Sequence, residues 1–120
     1  MKNMINWFEL PVTDLSRATA FYAQVLATPL KTEDFQGTQM TVLKVDGVMG
    51  ALVKMADRKP SRDGALVYLN VDGQLDAVVG RVVKAGGQVA GPVVDLGPMG
   101  SYAVMIDTEG NHVAVHQSAR

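Results

Sequence analysis

The stretch Trp7 to Tyr22, WFELPVTDLSRATAFY, runs from a short apolar segment through a Pro and an Asp into a helical pattern carrying a Phe-Tyr pair. The same order of strand signal and helix signal returns in the second half, from Leu66 to Gly87. A module repeated once per half-chain cannot bury its own apolar face alone, so the repeat constrains the fold to two like units packed together.

Ile5 to Val12 reads as a strand with Leu10 and Val12 on one face and Trp7 and Glu9 on the other. Asp14 is placed to cap the helix that follows, whose stripe is Leu15, Ala18, Phe21, Tyr22, Val25 and Leu26. Thr28-Pro29 is expected to end it. Three strands are expected next, at Leu30–Asp34, Met40–Val45 and Val48–Met55, the last two joined by an Asp46-Gly47 turn. The charged stretch Ala56 to Gly64, ADRKPSRDG, is the linker at mid-chain. The second unit then reads as a strand over Ala65–Val71, a helix with Leu75, Val78, Val79, Val82 and Val83 as its stripe, and a Gly86-Gly87 stop. Strands at Gln88–Leu96, Ser101–Ile106 and Asn111–Gln117 follow, with Asp107 to Gly110 as the final turn. The expected organisation is one domain over residues 1–120, with a first module at 1–56, a linker at 57–64 and a second module at 65–120.

Composition narrows the function classes. The 120-residue chain has a net charge of −1, so it has no basic stripe for a nucleic-acid backbone. It holds no cysteine, which removes disulfides, thiolate catalysis and Cys-ligated zinc. Pro11 and Glu9 interrupt any signal-peptide apolar region, and no run approaches the length of a membrane span. The expected setting is cytoplasmic, with no nucleic-acid and no membrane partner.

Val12-Thr13-Asp14-Leu15 with Phe21-Tyr22, the Ala85-Gly86-Gly87 helix end, and Asp107-Thr108-Glu109-Gly110-Asn111 before the last strand together resemble the vicinal oxygen chelate superfamily. That superfamily includes glyoxalase I, bleomycin-resistance proteins and extradiol dioxygenases. The resemblance covers essentially the whole chain and is nearest to a small bacterial glyoxalase-like branch, through the opening FELPVTD, the segment Lys59-Pro60-Ser61 ahead of Leu66 to Val71, and the ending His116-Gln117-Ser118. It implies an α+β fold of two βαβββ modules forming a half-open barrel around a concave cavity, acting as a homodimer. In the family's metal enzymes the first and fourth strands of each module supply the ligands, and the ion acts as Lewis acid and template.

Carried over residue by residue, those ligand positions fall on Trp7, Leu66, Ala114 and, in the fourth strand, nearest Lys54 with Leu52 as the alternative. Trp, Leu and Ala cannot ligate an ion, and Lys must first lose a proton. A slip of one residue offers only Phe8, Val67 and Val115. The expected site therefore has no metal ligand among these residues and no cofactor.

Strand alternation gives the wall of the cavity. Leu10, Val12, Leu69, Val71, Val113 and Val115 are expected against the helices, so Trp7, Glu9, Leu66, Tyr68, Asn70, His112, Ala114 and His116 face the concave side, with Leu52 and Lys54 from the fourth strand. Met40 and Val42, or Tyr102 and Val104, extend the wall. Glu9 and His116 are the candidate catalytic pair, a carboxylate and an imidazole suited to proton transfer near neutral pH. Trp7, Lys54, Leu66, Tyr68, Asn70 and Ala114 are the candidate ligand contacts. His112, just after the turn, reads as solvent-facing, and Gly97-Pro98-Met99-Gly100 as a loop able to act as a lid over the cavity.

The resulting expectation is a glyoxalase-like binding protein or metal-independent enzyme for a small-molecule ligand, with proton transfer of the lyase or isomerase type. Two rivals stand beside it: a divalent-metal enzyme whose site has moved to Glu9 and His116, and a drug-sequestering protein of the bleomycin-resistance type.

Overall fold

Asp14 opens the first helix as its sequence position suggests, its carboxylate accepting from the Arg17 amide at 3.0 Å. In the computed structural model, which describes residues 3–43 and 47–119, that helix is α1 (Leu15–Val25), and it buries Ala18, Phe21, Tyr22 and Val25. It stops before Thr28-Pro29 because Ala27 turns into the left-handed region at φ 51°. Around it run β1 (Trp7–Pro11), β2 (Thr32–Phe35), β3 (Thr38–Leu43) and β4 (Met49–Val53), forming one sheet in the order β1-β4-β3-β2. Val45 and Asp46, assigned above to a strand end and a turn, lie outside the described residues.

The second half has β5 (Val67–Asn70), α2 (Leu75–Val82), β6 (Gln88–Val89), β7 (Val94–Asp95), β8 (Ser101–Ile106) and β9 (His112–Gln117). Its sheet runs β5-β9-β8-β6, with β7 also on β8. In both sheets the first strand lies parallel to the last, β1 on β4 and β5 on β9. The expected single strand over Gln88–Leu96 is instead two short pieces, because Gly91-Pro92 interrupts it and Pro has no N–H to give a ladder. Gly86 at φ 105° turns the chain out of α2, and the Gly87 amide donates to Val82 O at 2.9 Å. A Cβ on Gly87 would sit 2.6 Å from the Phe21 ring, so close packing between the halves requires glycine there.

One core serves both units. Leu10, Val12, Leu43 and Leu52 from the first sheet join Val71, Ala103, Met105, Val113 and Val115 from the second, with the buried faces of α1 and α2 among them. Burying roughly this many aliphatic side chains contributes about 1.5–3 kcal/mol each against exposure. Both sheets thus give their helix-facing sides to a common interior and leave their other sides outward. Among the described residues the two sheets do not join into one barrel.

Polar contacts tie the units together. The β8–β9 turn reaches the start of α1, where Glu109 accepts from the amides of Thr13 and Asp14, both at 2.8 Å, and from Arg17 Nε at 2.8 Å. Beneath it the Tyr22 hydroxyl donates to Asp107 Oδ2 at 2.6 Å, and Asn111 Nδ2 donates to Pro11 O at 2.8 Å.

Two wall assignments are corrected. Leu52 is fully buried and stands opposite Leu10 in the β1–β4 register, so it faces the helices. Lys54 follows β4 on that same side of the alternation, exposed beside Leu15, Asp34 and Gln39. The concave residues of β4 are Ala51 and Val53, opposite Glu9 and Pro11. The run VMGALVKM is apolar on both faces, so it offers no period-two pattern from which to read its frame.

Candidate functional site

The outward face of the first sheet is set by register. Glu9 stands opposite Ala51, and Ala51 opposite Val42; Pro11 stands opposite Val53, and Val53 opposite Met40. Trp7 and Glu9 share this face, and the indole Nε1 donates to Glu9 Oε2 at 3.2 Å. Both are exposed. An open groove of about 610 Å³ runs along β1, lined by Trp7, Phe8, Glu9, Pro11, Met55, Arg58 and Lys59. Met55 was expected at the end of the fourth strand and Arg58 and Lys59 in the linker, none of them as site residues. They reach the groove because β4 is the parallel neighbour of β1, so chain leaving Val53 emerges beside Pro11.

The outward face of the second sheet carries Tyr68, Asn70, Ala114, His116, Tyr102 and Val104, as their registers require. Leu66 immediately precedes β5 and is exposed. Tyr68 and Tyr102 meet edge-on with ring centroids 5.5 Å apart, reaching across β9. Ala114, opposite Tyr68 on one side and Val104 on the other, is fully buried. A small side chain there leaves room for the two rings to meet.

His116 is engaged rather than free. Its Nε2 lies 2.7 Å from the Met99 carbonyl. A carbonyl only accepts, so Nε2 carries the proton and Nδ1 is left as the basic nitrogen. The contact pins the 3₁₀ turn Gly97–Met99, whose Gly100 amide closes back on Gly97 O at 3.0 Å. His112 also departs from its solvent-facing expectation. It is only partly exposed, and its Nε2 is buried with no hydrogen-bond partner among the described residues. Asn70 Oδ1 accepts from the Asp72 amide at 2.9 Å, shaping the turn into α2.

Trp7 and Glu9 are therefore brought together, as are Tyr68, Ala114 and His116, but these two groups lie on different sheets. The shared core turns both outward faces away from the helices, and the groove beside Glu9 is lined by neither Tyr68 nor His116. A second cavity, of about 360 Å³, lies on the helix side between the units, lined by Leu26, Leu30, Leu43, Val71, Val78 and Arg81 among others. Arg81 closes it by donating to Val25 O at 3.0 Å, at the end of α1.

The register also locates the fourth-strand ligand position of the resemblance. In the second sheet Ala114 stands opposite Tyr68, two residues beyond Leu66. Its counterpart in the first sheet stands opposite Glu9, two residues beyond Trp7, and that residue is Ala51 rather than Lys54. The four positions hold Trp7, Ala51, Leu66 and Ala114, none with a lone pair suited to a metal ion. No group of three His, Asp or Glu gathers among the described residues in a way that could hold one. The donor set does not fit the family's metal.

A family model described as the Glyoxalase/Bleomycin resistance protein/Dioxygenase superfamily matches residues 4–115. The chain belongs to this superfamily. The protein named "Putative glyoxylase CFP32" of Mycobacterium bovis is 31% identical over 121 residues, a match that spans 96% of this chain but 46% of that protein. The chain therefore spans about half the length of that relative. A "Glyoxylase-like domain-containing protein" of Didymella fabae is 29% identical, covering 96% of this chain and 94% of its own. Among solved structures, a glyoxalase/bleomycin resistance protein from Albidiferax ferrireducens T118 superposes with TM-score 0.77 at 15% identity, covering 98% of this chain and all of that one. The fosfomycin resistance protein FosX of Listeria monocytogenes superposes with TM-score 0.71 at 14% identity, covering 99% and 96%. At such identities the structural likeness concerns the fold. No helix among the described residues is long and apolar enough to cross a membrane.

Proposed function

We propose that this chain is a glyoxalase-like small-molecule binding protein or enzyme that works without the family's metal and whose concave site is completed by a second copy. One observation carries the reading. Both sheets spend their helix-facing sides on a common core, so the Glu9 face and the Tyr68–His116 face point outward, each a wall without an opposite wall. A homodimer that sets the first sheet of one copy against the second sheet of the other supplies the missing wall to both. β1 and β5, each paired on one side only, are edge strands along which such sheets would meet.

Within that site Glu9 is the proton acceptor. Its Oε2 is held by the Trp7 indole, and Oε1 has no described partner. His116, oriented through Nε2, presents Nδ1 as a second base. With Trp7, Ala51, Leu66 and Ala114 at the ligand positions, the chemistry left to these residues is proton transfer of the lyase or isomerase type on an oxygenated small molecule. A cysteine-free chain needs no oxidising compartment, which supports a cytoplasmic setting.

The test combines mass, metal content and one variant. Light scattering should give a dimer, and purified protein should carry metal well below one equivalent. Glu9→Gln should abolish turnover or weaken ligand binding while leaving the dimer intact. Stoichiometric Ni, Zn, Fe or Mn that is lost on Glu9→Ala would overturn the reading in favour of a relocated metal site.

A further inference from the structure

The groove beside Glu9 has a charge balance that the catalytic reading does not use. Arg58 and Lys59 line it with Trp7 and Glu9. Neither cation has a carboxylate within ion-pair distance among the described residues, where the single ion pair is Arg17 with Glu109. Glu9 itself is engaged by the indole rather than by either cation. Two cations and one carboxylate thus share a groove of about 610 Å³ with an aromatic surface, Trp7, and the apolar Met55 in its wall.

We propose that this groove selects a small organic anion, a carboxylate or phosphoryl group held by Arg58 and Lys59 with its apolar body against Trp7 and a hydroxyl donating to Glu9. The proposal rests on the reading of the Glu9 face as the binding site and names the ligand class that site takes. The physical basis is neutralisation. A monoanion brings the groove's formal charge from +1 to zero, whereas a neutral ligand of the same shape covers two cations without compensating them. Arg58 can meet an oxyanion with two parallel N–H donors, and Lys59 adds a point charge. Glu9 disfavours a second negative charge beside it, so the acid group sits at the Arg58–Lys59 end and the hydroxyl at the Glu9 end.

Trp7 is the only tryptophan, so its fluorescence reports this groove directly. Benzoate, phenylphosphonate and neutral benzamide, titrated against the full chain, separate charge from shape. Benzoate or phenylphosphonate should quench Trp7 at least tenfold more tightly than benzamide, and whichever binds better identifies the acid group. Rising salt should weaken that binding. An Arg58→Ala/Lys59→Ala double variant, changed only at exposed linker residues, should lose tenfold or more in anion affinity, while Arg62→Ala, outside the groove, should not. Benzamide binding as tightly as benzoate, with Glu9→Gln weakening both, would overturn the anion preference and leave the Glu9 face as the site. An unchanged double variant, or silence of Trp7 toward all three compounds, would also overturn it.

Discussion

The Tyr22 hydroxyl donates to Asp107 Oδ2 at 2.6 Å, joining the helix of the first unit to the last turn of the second through the buried core. Burial, foremost, and the neighbouring Asp107 hold the phenol well above its ordinary pKa, so it stays a donor at any working pH. Asn111 Nδ2 gives the same carboxylate oxygen a second, longer bond at 3.2 Å. Tyr22→Phe keeps the ring against Phe21 and removes only the donor, so it should cost about 1.5–3 kcal/mol in urea unfolding. A cost near zero would mean that Asn111 Nδ2 alone satisfies Asp107 Oδ2.

Glu109 supplies a pH dependence with a definite sign. Burial pushes its carboxyl up, but the hydrogen bonds from Arg17, the Asp14 amide, the Thr108 hydroxyl and the Thr13 amide outweigh this and hold it at about 2, against an ordinary 4.5. A carboxyl that binds its proton more readily in the unfolded chain stabilises the fold fully above pH 4.5 and loses that contribution as pH falls toward 2. Because Arg17 is half-exposed, the contribution is on the order of 1–2 kcal/mol after solvent screening. Glu109→Gln should therefore flatten the fall in melting temperature between pH 5 and pH 3, read by circular dichroism at about those two values.

Gly100 is held where no other residue fits. It sits at φ 93°, and a Cβ there would collide with the Gln117 carbonyl. Gly100→Ala should cost roughly 2 kcal/mol or more through backbone strain and steric displacement of β9's end, and should detach His116 from Met99. Hydrogen exchange over residues 96–100 would show the release. Protection equal to wild type would refute the account.

His112 carries a buried nitrogen with no described partner. Removing such an atom without opening a cavity relieves a desolvation cost of about 1–3 kcal/mol. His112→Leu or His112→Phe should accordingly leave the melting temperature unchanged or raise it, whereas His116→Leu should lower it by loosening the turn at Met99. A clear loss of stability in both His112 variants would point to a hydrogen bond made through water or a second copy.

Much of the fold was legible in particular residues. Asp14 and the stripe from Ala18 to Val25 specify α1, and Gly86-Gly87 specifies the end of α2, because caps and three-to-four spacing are local signals. The strands β1 and β9 could be framed because each alternates, Leu10 inward and Glu9 outward, Val115 inward and His116 partly outward. The candidate site was less legible. Trp7 and Glu9 fall on one face as expected, but the cations opposite them lie some fifty residues away in a linker, and no local pattern announces that contact.

Sequence alone determined the superfamily and the two-unit plan, and it shows that Trp7, Leu66 and Ala114 carry no ligating side chain, because all of these depend on residue type and short-range spacing. Only the tertiary structure decided the rest. The frame of β4 follows from its pairing with β1, which sends Leu52 inward and puts Ala51 beside Glu9. His116 acquires its partner at Met99 and Glu109 its place at the start of α1 through long-range contact. Both outward faces exist because a single core consumed the opposite sides of both sheets, a consequence of packing two half-amphipathic units that neither unit's own pattern records.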